Sequence, residues 1–74
     1  MRAMDLDYEM LWDAAKLMEQ QGGSFAACIA QAFYRADAFN RERLLTAFDD
    51  LFVKFYRIHR MNEIRKEEVW NEDE

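Results

Sequence analysis

The sequence predicts an all-α protein: a three-helix bundle with short connections, helix 3 the longest and extended toward the C-terminus. Three observations carry this. The chain has no proline, and its only glycines are the adjacent pair Gly22 and Gly23, so tight turns have few places to form. Apolar residues recur at spacings of three and four along most of the chain. No run alternates in polarity as a half-buried strand would. The 74 residues read as one domain, 1–74. A chain of this size buries only about 60% of its unfolded surface, so stability depends on good packing or self-association.

Helix 1 is expected over about 6–20. Asp5 or Asp7 supplies an acceptor for the free N–H groups at its start. Tyr8, Leu11, Trp12, Ala15 and Met18 then fall on one stripe. Gly22 or Gly23 takes the left-handed conformation that closes a helix C-terminus. Helix 2 follows over about 25–37, with Ser24 as its N-cap. Its expected core stripe is Phe25, Cys28, Ile29, Ala32, Phe33 and Ala36, and its many alanines allow a neighbour to approach closely.

Helix 3 is expected over about 41–60 or longer, capped by Asn40. Leu44, Phe48, Leu51, Phe55 and Ile58 form one row, and Leu45, Phe52, Tyr56 and His59 a second beside it. So wide an apolar face suits a helix packed against two neighbours. Nothing between Met61 and Trp70 breaks a helix. Residues 67–74 carry five acids and no base and read as a solvated acidic tail.

Net charge is −5, unevenly spread. Residues 1–24 hold two bases against five acids, 25–66 hold eight bases against five acids, and 67–74 are wholly acidic. An acidic chain is a poor general ligand for nucleic acid, whose non-specific affinity comes from cations on phosphates. No apolar run approaches the roughly 20 residues that span a bilayer, and the N-terminal stretch lacks the apolar core of a secretion signal. The single cysteine, Cys28, has no internal partner. The expectation is a cytoplasmic protein without membrane attachment.

Each group that resembles chemical machinery has a simpler reading. Gly22-Gly23-Ser24 lacks the spacing and the lysine of a P-loop and follows a helix, so it reads as a helix stop and a cap. Cys28 lies on the expected core stripe and reads as a small hydrophobe; a catalytic thiolate would need a histidine beside it, and the only one is His59 on helix 3. One His and one Cys are too few for a structural zinc site. Asp49 and Asp50 point about 100° apart on a helix and read as a solvated face rather than a converging acid/base pair. The expectation is no enzyme, no metal and no cofactor.

Six Phe, three Tyr and two Trp are more than one small core needs. Tyr8, Trp12, Tyr34, Phe39, Val53, Tyr56 and Trp70 cannot all point inward. Of these, Tyr8, Trp12, Tyr34, Phe39, Tyr56 and Trp70 are the candidate protein interface, since clustered exposed aromatics mark binding surfaces. A homodimer is expected, its seam on helix 1 (Tyr8, Trp12) or on late helix 3 (Tyr56, Trp70). The alternative is a small helix-turn-helix DNA-binding regulator in which helix 3 presents Arg41 and Arg43 to the bases.

The stretch from Gly22 to Tyr56 resembles small proteins encoded by bacteriophages and prophages. The matching residues are Gly22, Gly23, Ser24 and Phe25, then Ala36, Asp37 and Asn40, then Leu44, Ala47, Phe48, Phe55 and Tyr56. These proteins are mostly of unassigned function, and the match covers about half the chain. The resemblance implies a bacterial host and a short protein that binds and blocks host machinery, a defence system such as CRISPR or a metabolic complex. The reading is a non-enzymatic protein acting by protein–protein contact.

Overall fold

The computed structural model describes residues 1–72, with side chains for residues 1–66. Among these residues it is all-helical. A 3₁₀ turn, Ala3–Asp5, precedes four α-helices: α1 (Tyr8–Gln21), α2 (Gly23–Arg35), α3 (Ala38–Ala47) and α4 (Asp49–Glu72). The expected three helices are thus four, because the third is divided at Phe48.

α1 starts as expected from Asp7, whose Oδ1 accepts the Met10 N–H at 2.9 Å. It closes at the two glycines, which act differently. Gly23 has φ +81°, a conformation an L side chain rarely adopts. Gly22 has ordinary angles, φ −89° and ψ −2°. A Cβ there would lie 2.5 Å from the Ala26 Cβ, 2.6 Å from the Met18 carbonyl oxygen and 3.1 Å from Phe55. One glycine supplies conformation, the other supplies space. α2 begins at once, so Ser24 lies inside its first turn rather than at the cap, which is Gly22.

α2 turns its buried face one step away from the expected stripe. Ala26, Ala30 and Phe33 are buried, whereas Phe25, Cys28 and Ala32 are exposed. The physical reason is that α2 is apolar nearly all round, so its partners choose its face. Alanines 14 and 15 of α1 and 26 and 30 of α2 are buried in one core, where small side chains let backbones approach closely.

Asp37, not Asn40, caps α3, accepting the Asn40 N–H at 2.8 Å. Only Leu45 of α3 is buried. At Phe48 the backbone leaves the helical region (φ −118°, ψ 36°) while the Phe48 N–H still donates to the Leu44 carbonyl at 2.9 Å. An unbroken helix from 38 to 72 would be about 50 Å long and could lean only one stretch on the α1–α2 pair. The break redirects the chain so that Leu45 of α3 and Phe52, Val53 and Phe55 of α4 all reach the core. Asp49 and Asp50 then stand in the first turn of α4, where their charge suits the helix dipole. Asp49 does more: its Oδ1 accepts the N–H of the wholly buried Ala3 at 2.6 Å, tying the N-terminal turn to α4.

The core unites all the helices: Leu11, Leu17 and Met18 from α1, Phe33 from α2, Leu45 from α3, and Phe52, Val53 and Phe55 from α4. Val53, expected among the residues that cannot all turn inward, is buried there. No polar or charged residue is buried among the described residues. The last helix continues to Glu72, in line with the absence of any helix breaker between Met61 and Trp70. No helix among the described residues is long and apolar enough to cross a membrane.

Candidate interaction surface

The aromatic residues divide into two groups. Trp12 of α1 stacks on Tyr34 of α2, with centroids 4.5 Å apart and planes at 21°. Tyr8 meets Trp12 edge-on at 5.9 Å, and both adjoin the buried Phe33 at about 6 Å. Phe33 in turn meets Phe52 at 5.5 Å. Three of the candidate interface residues, Tyr8, Trp12 and Tyr34, are therefore engaged within the fold. Tyr56 is half-buried against the core. Trp70 lies outside the residues whose side chains are described.

Two carboxylate contacts pin the edge of this stack. The Tyr34 hydroxyl donates to Glu19 Oε1 at 3.2 Å, and the Gln31 amide donates to Glu19 Oε2. Burial, then the charge of Glu19 and the hydrogen bond to it, push the Tyr34 phenol up to about 12.

The outer group is different. Phe39, in the first turn of α3, is 68% exposed, and Phe25, in the first turn of α2, is 61% exposed. Phe25 touches only the edge of Phe48, at 5.8 Å among the ring pairs. The Arg43 guanidinium lies over the Phe39 ring at 5.7 Å and within 3.4 Å of Asn40 Oδ1. Arg41, two residues earlier, goes the other way: it lies 4.8 Å over Tyr8, with its Nε buried and unpaired. The two arginines expected to read bases together point into different surroundings, and Arg43 is the one exposed on the outside of α3.

Between α2 and α3 runs an open groove of about 530 Å³. Ala32, Ala36, Leu44 and Ala47 form its apolar floor, and Arg35, Asn40 and Arg43 its polar edge. The exposure of Ala32 in this groove, and of Cys28 one turn before it, corrects the expectation that they belong to the core. What hid this surface from sequence reasoning is its apolarity: small apolar residues at helical spacing look the same whether they face a core or a groove.

A second groove, about 600 Å³, separates α1 from α4. His59 Nε2 stands 3.5 Å from Asp13 Oδ2 and 3.8 Å from Glu63 Oε1, and Lys16 reaches Asp13 at 3.6 Å. Charges of both signs are interleaved here, and His59 faces carboxylates rather than Cys28. No group of three or more His, Cys, Asp or Glu among the described residues is placed to hold a metal ion.

No protein-family model, curated protein or solved structure matches this chain.

Proposed function

We propose that this chain is a small non-enzymatic phage-type protein that acts by protein–protein binding. In this reading it works as a homodimer in the cytoplasm of a bacterial host and inhibits or modulates a host complex, a defence system such as CRISPR being one example. The observation that supports it best is the Phe39–Arg43 pair, an open aromatic ring with a guanidinium over it. Phe and Arg are enriched at protein interfaces, and Arg is among the residues that most often carry a large share of the binding energy. Phe39 and Phe25 are the most exposed aromatic rings among the residues whose side chains are described.

The test is capture of bacterial complexes by the tagged protein, alongside phage challenge of cells that carry an active defence system. The wild-type chain is expected to retain one defined complex and to restore phage growth, and Phe39→Ala to lose both while keeping its helicity. Equal capture by Phe39→Ala would overturn the choice of surface. Sequence-specific binding of duplex DNA lost on Arg43→Ala would replace this reading with that of a DNA-binding regulator.

A further inference from the structure

We infer that the groove between α2 and α3 is filled by the acidic C-terminal segment, residues 67–74, of a second copy of this chain, in a reciprocal two-fold dimer.

The groove is basic and apolar at once. Its lining holds Arg35 and Arg43 and no acid, over a floor of alanines and Leu44. Its ligand must therefore combine carboxylates with apolar side chains. The chain itself contains such a segment: in residues 67–74 the apolar pair Val69-Trp70 is enclosed by Glu67, Glu68, Glu72, Asp73 and Glu74. No other eight-residue stretch of the sequence joins five acids to a tryptophan.

The segment cannot reach the groove of its own chain. Ala47 lines the groove and lies two residues before the start of α4. From Asp49 to Lys66 the helix climbs about 26 Å at 1.5 Å per residue, away from that point. A second copy removes the difficulty. If two α4 helices lie antiparallel about a two-fold axis, the end of each reaches the beginning of the other. Each C-terminal segment then stands at its partner's α2–α3 groove.

Two further observations agree with this pairing. The exposed Asp50 at the start of α4 comes opposite Arg65 and Lys66 of the second copy, so opposite charges meet at both ends. Between them α4 exposes Met61 (56%) and Ile64 (47%) three residues apart, the apolar part of a face that also carries the exposed Lys54 and Arg57.

This inference gives the homodimer of the proposed function its seam, and it rests on that reading only for the dimer. Sedimentation equilibrium at micromolar concentration tests it on three chains: wild type, Arg35→Glu, and a chain ending at Lys66. Arg35 is chosen because it lies outside the Phe39–Arg43 pair. The wild type should sediment at twice the chain mass. Arg35→Glu should raise the dimer dissociation constant by about tenfold or more, since it sets like charges against each other. The shortened chain keeps the groove and lacks the segment, and Arg35→Glu keeps the segment and lacks a fitting groove. Each alone should be monomeric, and an equimolar mixture should recover a heterodimer through its one intact contact. Trp70→Ala stands in for the shortened chain if circular dichroism shows that chain unfolded, and should likewise be monomeric. A monomeric wild type, or dimers that persist in both variants, would overturn the inference. A monomer that still captures a host complex through Phe39 would sink the dimer and leave the protein-binding reading intact.

Discussion

Tyr8, Trp12, Phe33 and Tyr34 are joined ring to ring between α1 and α2, whereas Phe25 and Phe39 stand open on α2 and α3. All six are aromatic, and Phe25, Phe33 and Phe39 are the same residue type. What separates them is whether a second helix lies across them. The inner rings meet α2, α4 and even the Arg41 guanidinium of α3. The outer ones meet one ring edge and one arginine. The inner set therefore belongs to the packing of the fold, and the outer set is the one on which the proposed function draws.

The largest way to break this comparison is Phe33→Ala. Phe33 is 1% exposed and touches rings from both α1 and α4. Removing a wholly buried ring costs roughly 3–5 kcal/mol, a large share of a small domain's stability. The urea midpoint should fall steeply, and a loss below about 1 kcal/mol would mean the inner rings are not the core.

A smaller effect comes from the closure that lets these rings meet. Gly22→Ala forces a Cβ against Ala26, the Met18 carbonyl and Phe55, an overpacking of about 1–3 kcal/mol. Gly23→Ala meets nothing within 4 Å, so it carries only the cost of its positive φ, about 1 kcal/mol. Paired urea titrations should place Gly22→Ala below Gly23→Ala, and the reverse order would show that the α1–α2 approach is looser than described.

Tyr34→Phe tests the edge of the inner set. It removes one hydrogen bond to Glu19, worth on the order of 1 kcal/mol or less. The sign with pH follows from the phenol, raised from 10.0 to about 12 in the folded chain. The folded state holds the proton more tightly, so this contribution is complete below pH 10 and lost as pH rises through about 12. Thermal melts between those limits should show the wild type losing more stability than Tyr34→Phe, and parallel losses would refute the coupling to Glu19. Smallest of all is Phe39→Ala, whose effect on stability should stay within about 0.5 kcal/mol by the same melts. A larger loss would move Phe39 into the inner set.

Much of the fold was legible locally. The helical spacing, a cap at Asp5 or Asp7 and a stop at Gly22 or Gly23 depend on groups a few residues apart, and the structure places the cap at Asp7 and the positive φ at Gly23. The continuation of the last helix past Arg60 is likewise observed. The site was less legible. The surplus of aromatics was visible, but not that Trp12 and Tyr34 would meet each other instead of solvent, because that pairing joins residues far apart in the chain.

By itself, then, the sequence determined helix content, the first cap and the glycine turn, since these follow from spacing, backbone freedom and a nearby acceptor. Tertiary structure alone decided three things. It set which face of α2 is buried, because a helix apolar on most sides has no preferred face until a partner arrives. It set the break at Phe48, where no glycine or proline signals one, because two shorter helices bring Leu45 and Phe52 to the same core and one long helix does not. It sent Arg41 inward over Tyr8 and Arg43 outward over Phe39, because two positions along a helix differ by about 200° and the surrounding helices occupy only one side.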